Sequence, residues 1–263
     1  MLVAMTENGD RIYANEAKKT DDDGNKIKYY CPECGGELIL RQGTKNIWHF
    51  SHDNGDVICH FRKGGGESYI HQLMKQTVKE IIERDNKCII SELEWKVGNR
   101  IADYYFEKKK KLGRKRIAVE CVHKHTNIQE FRDKNEEYLN ENVYVMWVFN
   151  LTEFLDKNNS EKQRKRINEI MREAHALHYG KVYAVNLREK LMYAVHFDNV
   201  TTYVEEYGEY GGYYKTLKST KSCNVLCIPQ FIVDSFNRVF DRKSLKFLPY
   251  PRAVANVYIE KWW

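Results

Sequence analysis

Two groups of residues in this chain are of types, and at spacings, that could do chemistry. In "CPECGG", Cys31 and Cys34 are followed at once by Gly35 and Gly36. That is the pattern of a knuckle, a tight turn that aims both sulfurs at one point. His49, His52, Cys59 and His60 follow closely enough to complete a tetrahedral zinc site. The preferred set is Cys31, Cys34, His52 and Cys59, with His49 as the alternative ligand. A closed site with four protein ligands is structural, and it would staple a module too small to hold a core of its own. The second group is acidic. "RIAVECVHK" reads as a buried strand except for Glu120, and a buried carboxylate is costly unless something positive meets it.

Asp103, in "RIADYYFE", is the nearest candidate to share that positive partner. Side chains alternate along a strand, so Ile101, Asp103 and Tyr105 are expected on one face, and Ala118, Glu120 and Val122 on one face of the next strand. A hairpin register that sets 103 against 120 also sets Glu107 against Arg116. Cross-strand neighbours lie roughly 5 Å apart. The two acids could then meet at one Mg²⁺ or Mn²⁺ ion, both of which favour oxygen ligands. Glu67, at the start of the preceding helix, could add a third carboxylate. The plainer alternative pairs Asp103 with Arg100 and leaves Glu120 at a solvated edge. Between the two acids runs a basic tip, Lys108, Lys109, Lys110, Lys111, Arg114, Lys115 and Arg116. At about 3.3 Å per residue its base stands roughly 13 Å from the acids. That placement favours a grip on nucleic-acid phosphates over a merely solvated charge run.

The elements that must position these residues can be read from hydrophobic period. Leu38 to Leu40 and Ile47 to Phe50 predict a small hairpin around the cysteine–histidine cluster. "RKGGGES" marks a boundary. From Glu67 to Asp85, apolar residues recur at three and four, an amphipathic helix with Ser68 near its start. "KCIISELEWKV", "RIADYYFE" and "RKRIAVECV" predict three strands. "TNIQEFRDKNEEYLNEN" predicts a helix with Thr126 as N-cap, and "VYVMWVFN" a strand buried on both faces. A basic helix, "SEKQRKRINEIMREAHALHY", follows. "KVYAVNL", "KLMYAVHF" and "TTYVEEY" then predict a meander, and "EYGEYGGYYKTLKSTKS" a loop. The division is 1–63, 64–155 and 156–263: a metal-binding module, an α/β core, and a helix with a β-rich C-terminal extension.

Totals set outer limits. The chain has 263 residues, 42% of them hydrophobic and 13% aromatic, enough for a full core. Lys and Arg number 43 against 37 Asp and Glu, a net +6 whose distribution matters more than its size. No apolar run reaches the length of about 18 that a membrane span needs, so no membrane partner is expected. "MLVAMTENGDRIYA" lacks a basic-then-apolar leader, so a cytoplasmic location is expected. In a reducing compartment, seven cysteines including a CxxC pair favour metal over disulfides.

Taken in order, CPxCGGELIL, HFSH, "ESYIHQLMK", "RIADYYFE", "IAVEC" and "YVMWVFN" resemble the competence protein CoiA-like nuclease family. The resemblance runs from about Tyr29 to Asn150. It implies a zinc-binding module joined to a PD-(D/E)XK, restriction-endonuclease-like core: a mixed sheet flanked by helices. By that likeness Glu67, Asp103 and Glu120 are the metal-binding acids, with His71 beside them. Arg132 and Tyr138 match the family's next helix, as phosphate contact and packing. The implied activity is Mg²⁺- or Mn²⁺-dependent hydrolysis of DNA phosphodiester bonds with little sequence specificity, in competence, recombination or phage defence. One position departs. The general motif has lysine two residues after the strand acid, and this family usually has glutamine; here it is Val122. Lys124 or Gln129 could supply the missing polar group. Otherwise the chain binds DNA without cutting it, or serves as a zinc-stapled scaffold for a protein partner.

Overall fold

In Glu37–Arg41 the side chains of Leu38 and Leu40 are buried and those beside them are not, the period of a strand with one face on a core. This strand, β4, belongs to an antiparallel five-stranded sheet. The others are β1 (Val3–Met5), β2 (Arg11–Tyr13), β3 (Tyr29–Tyr30) and β5 (His49–His52), in the order β2-β1-β3-β4-β5. The computed structural model describes residues 1–44, 46–52, 59, 67–109, 113–123, 127–154, 169–178, 180–204, 213–228, 240–241 and 246–247, with backbone alone from 196 onward.

Helix α1 (Tyr69–Asp85) begins where Ser68 accepts the His71 amide, and it buries Met74, Val78, Ile81 and Ile82. It lies on one face of a seven-stranded sheet. The strands are β6 (Ile90–Val97), β7 (Arg100–Lys109), β8 (Arg114–Val122), β9 (Tyr144–Asn150), β10 (Val182–Asn186), β11 (Leu191–Val204) and β12 (Tyr213–Ile228). Their spatial order is the reverse of the chain order, β12 to β6. β6, β7 and β8 run antiparallel. β9 lies parallel to β8 and β10 parallel to β9. Parallel neighbours need a crossover. α2 (Ile128–Asn140) provides the first, and α3 (Leu151–Phe154) and α4 (Glu169–Leu177) lie in the second. β13 (Phe240–Asp241) and β14 (Lys246–Phe247) form a separate two-stranded ladder. α1 packs with Leu93, Tyr104, Phe106, Ile117 and Val119 on one side. Phe131 and Tyr138 of α2 and Ile170 and Ala174 of α4 pack with Ala102, Tyr105, Ala118 and Trp147 on the other.

The hairpin register is the predicted one, with Glu107 opposite Arg116. The predicted face of β8 is kept, with Ala118 and Val122 both on the α2 side, but that of β7 is not. Leu93 and Tyr104 pair and pack on the α1 side, while Trp95 and Ala102 pair and pack on the α2 side. Residues two apart in a regular strand share a face, so both strands reverse between these rungs. The reversal sits at Glu94, whose φ of 50° lies in the left-handed region. Asp103 therefore turns toward α1, while Tyr105 stacks on Trp95 at 5.8 Å on the other side.

Other expectations also need correction. Asn127, not Thr126, caps α2, its side chain accepting the Gln129 amide; Thr126 lies outside the described residues. "LMYAVHF" and "TTYV", from two separately predicted strands, belong to one strand, β11, with a register shift between His196 and Asp198. The predicted loop at "GYYKTLKSTKS" contains most of β12, because Tyr and Thr favour strands even in a polar run. β10, β11 and β12 extend the sheet of β6 to β9, so the boundary at 155 divides segments of one sheet. At the other end Leu2 and Val3 pack into the α1-side core.

Candidate functional site

The knuckle has the geometry its sequence predicts. The Cys31 carbonyl accepts the Gly35 amide at 2.9 Å, and the Cys31 amide donates to the Gly36 carbonyl at 2.9 Å. Gly35 takes φ 70°, a conformation glycine adopts without penalty. At Gly36 a Cβ would stand 3.4 Å from Cys34 Sγ. Cys31 Sγ lies 3.6 Å from Cys59 Sγ, and Cys34 Sγ lies 3.3 Å from His52 Nε2. All four ligand atoms fall within 4.8 Å of one another. Ligands bound at about 2.1–2.3 Å to one tetrahedral zinc stand roughly 3.4–3.8 Å apart, so Cys31, Cys34, His52 and Cys59 could bind zinc. Burial pushes the Cys31 thiol pKa up, a cost that coordination would reverse. His49 is not in the group; its Nδ1 meets the Ile47 carbonyl at 2.8 Å. Residues three apart on a strand face opposite ways, so His49 and His52 cannot both turn to the knuckle. His60 lies outside the described residues.

The acidic site is built on α1. Just before the helix stands Glu67. His71 Nδ1 lies 2.8 Å from Glu67 Oε1 and its Nε2 lies 3.0 Å from Asp103 Oδ2. One helical turn on, buried Lys75 places Nζ 2.6 Å from Glu67 Oε1 and 2.6 Å from Glu94 Oε1. The Cys121 amide donates to Asp103 Oδ2 at 2.8 Å. With a carboxylate at each ring nitrogen, His71 is an imidazolium. Burial works against that charge, but Asp103 and then Glu67 hold its pKa up to about 10. Burial would likewise raise Glu67, yet Lys75 and His71 bring it down to about 2. Asp103 also lies below the carboxylate range, because His71 and Lys75 outweigh burial. Both acids are therefore ionised.

Glu67, His71 and Asp103 each offer a ligand atom within 4.8 Å of the others. Glu67 Oε2 is buried with no hydrogen-bond partner and lies 3.7 Å from the Met1 ammonium. Carboxylate oxygens suit Mg²⁺ or Mn²⁺, so Glu67 and Asp103 could hold a hard dication if it displaced the His71 imidazolium that stands between them.

Glu120 stands apart from this group. It is buried on the α2 side of β8, where Oε1 accepts the Tyr138 hydroxyl at 2.5 Å and Oε2 accepts Lys134 Nζ at 2.8 Å. Burial raises its pKa, Lys134 opposes this, and the Asp103 charge adds to the rise. The face reversal at Asp103 separates the two acids that simple alternation would aim at one point. The plainer alternative fails as well, since Arg100 pairs with Glu137 at 2.6 Å and Glu120 is not solvated.

The other predicted residues scatter. Val122 packs against the α2-side core. Gln129 donates to Asp133 in solvent. Lys124, Lys110 and Lys111 lie outside the described residues. Arg132 pairs with Glu173 and Glu169 of α4, away from the acids. The basic hairpin is partly committed inside the fold. Lys108 donates to Asn86, and Arg114 pairs with Glu107. Lys115 is buried over the Tyr144 ring, and Arg116 donates to the Tyr105 hydroxyl and the Glu141 carbonyl. Lys109 is exposed. Sequence reasoning missed Lys75, Glu94 and Lys134. The signal for Lys75 was its spacing, one turn beyond His71 on the same helix face.

Comparison with known proteins is informative at one end of the chain. Residues 12–62 match the model of the competence protein CoiA N-terminal domain. That stretch contains the knuckle and all four candidate zinc ligands, so the competence-associated likeness rests on the N-terminal segment. No curated protein matches. A solved XisH family protein from Nostoc punctiforme PCC 73102 is similar at 17% identity over 46% of this chain and 95% of that one. Its TM-score is 0.27, too low to carry an argument. Among the described residues no helix is long and apolar enough to cross a membrane.

Proposed function

We propose that this chain is a metal-dependent nuclease that hydrolyses DNA phosphodiester bonds with little sequence specificity, in competence-linked or defence DNA processing. The observation that carries the reading is the convergence of Glu67, His71 and Asp103 within 4.8 Å, with Glu120 buried on the adjoining strand. Glu67 and Asp103, already ionised, would hold Mg²⁺ or Mn²⁺. Such an ion lowers the pKa of a bound water and neutralises charge on the scissile phosphate. His71 would give up its bond to one carboxylate and orient a water or a phosphate oxygen. Exposed Lys109 would meet the DNA backbone. The CoiA likeness of residues 12–62 supports the competence setting. Purified protein with Mn²⁺ is expected to nick plasmid DNA, and Asp103→Asn and Glu120→Gln are expected to abolish nicking. Nicking at the wild-type rate by Asp103→Asn would remove the assignment.

A second reading, DNA binding without cleavage, is favoured by Val122 and by the cation that each acid already holds. A salt-sensitive gel shift with no product in any divalent ion would select it, because phosphate contacts weaken steeply as salt rises.

A further inference from the structure

We infer that Lys134, on α2, supplies the ammonium group that β8 lacks at Val122, and that it acts on the scissile phosphate of DNA. This inference rests on the nuclease reading. Val122 offers only methyl groups and packs into the α2-side core. Lys134 reaches the same strand acid from across the sheet–helix interface, its Nζ 2.8 Å from Glu120 Oε2. Its position is fixed from several sides. Glu130 lies 3.8 Å from Nζ one turn earlier on the helix, and the Trp147 ring centroid lies 6.0 Å away. The Asp103 charge also acts on it and it on Asp103, which puts the ammonium within the field of the metal-binding acids.

A comparison with Lys75 identifies the one able to meet substrate. Both lysines stand against carboxylates. Lys75 is clamped between two acids and its side chain is 2% exposed, so it has no path to a ligand. Lys134 holds one acid closely and its side chain is 14% exposed. Tyr138 bonds the other oxygen of the same carboxylate, so Lys134 could turn to a phosphate without leaving Glu120 bare. In the reaction a water oxygen forms a bond to phosphorus and gives up a proton to solvent, while the bond from phosphorus to a deoxyribose oxygen breaks and that oxygen takes a proton from solvent. Lys134 would donate hydrogen bonds to a non-bridging oxygen and transfer no proton.

The test uses the full chain with its zinc, supercoiled plasmid and Mn²⁺. Removing one such donor should slow cleavage by about 100-fold or more. Lys134→Met is therefore expected to lose about that much while its Mn²⁺ affinity, followed by electron spin resonance, stays within about twofold. The double variant Val122→Lys/Lys134→Met returns an ammonium two residues after Glu120 and should regain cleavage to within about tenfold of wild type. A merely structural lysine would not give that recovery. A folded but inactive double variant, or wild-type cleavage by Lys134→Met, overturns the inference and leaves the nuclease reading standing. Should Lys134→Met fail to fold, Lys134→Arg keeps the pair with Glu120. A tenfold or larger fall in its rate supports the inference, and an unchanged rate overturns it. If the wild-type chain cleaves DNA in no divalent ion, the nuclease reading falls and this inference falls with it.

Discussion

The cysteine–histidine cluster and the acid cluster are both sets of potential metal ligands, but their charges are balanced differently. Around Cys31, Cys34, His52 and Cys59 the close contacts include those between the ligands and one from Cys59 to Glu33. The acid cluster holds cations of its own: Lys75 between Glu67 and Glu94, His71 between Glu67 and Asp103, and Lys134 on Glu120. The first site offers three thiols and an imidazole that could take up a structural ion. In the second, cations of the chain itself already stand on the acids, so an entering metal would have to displace a resident partner and would be an exchangeable one.

The largest effect should come from taking metal from the knuckle. Structural zinc contributes apparent free energies of about 10–16 kcal/mol in small zinc-dependent modules. Chelation, or Cys31→Ser with Cys59→Ser, should abolish bound zinc and the hydrogen-exchange protection of β3 to β5. The seven-stranded sheet should stay protected. Unchanged protection in β3 to β5 would erase the contrast between the sites.

Next in size is Lys75→Met, which leaves Glu67 and Glu94 buried without their shared cation. Breaking such a pair on one side costs about 3–5 kcal/mol. Urea unfolding should show that loss, and a near-neutral result would mean that the acid cluster tolerates uncompensated charge.

A more gradual effect, spread over several pH units, is expected on titration. His71 has its folded pKa raised to about 10 from 6.5. Its contribution is fully present below 6.5 and is lost as pH rises through about 10. The slope is at most about 1.4 kcal/mol per pH unit. Glu67 has the opposite sign: lowered to about 2 from 4.5, it contributes above 4.5 and its contribution is lost as pH falls through about 2. His71→Gln should flatten the alkaline limb of stability against pH, and an unaltered limb would show that the ring is not the imidazolium described. Smallest is Arg132→Ala. The pairs with Glu173 and Glu169 are exposed, and such pairs contribute little. Melting temperature and DNA affinity should both stay where they are.

How legible each site is from sequence follows from the same contrast. The four knuckle ligands lie within a short stretch, and strand parity alone separates His52 from His49. The helix and strand sequence of the core also follows from period, since α1 and β6 to β9 fall where three-and-four spacing and apolar runs predict them. The acid site needed more than period. Glu94 with φ 50° turns two strands over at once, and no alternation rule includes such a residue. Lys75 and Lys134 reach their acids only because helix packing sets the distance. Burial at Glu120 signals that a cation must be near, but a lysine from a facing helix answers that signal as well as a metal does. β12 stayed hidden because Lys, Ser and Thr mask a strand whose neighbour is far off in sequence.

Glu94 has a mechanical consequence. Its carboxylate accepts the Leu2 and Val3 amides at 2.9 and 3.1 Å while it holds Lys75 at 2.6 Å. Arg11 adds a bond to the Leu93 carbonyl, and the Tyr13 hydroxyl donates to Glu92. Pulling the small sheet away from the large one would load all of these links at one spot. Under tension the two sheets should part in a single abrupt rupture, with Glu94→Gln lowering the force at which it occurs.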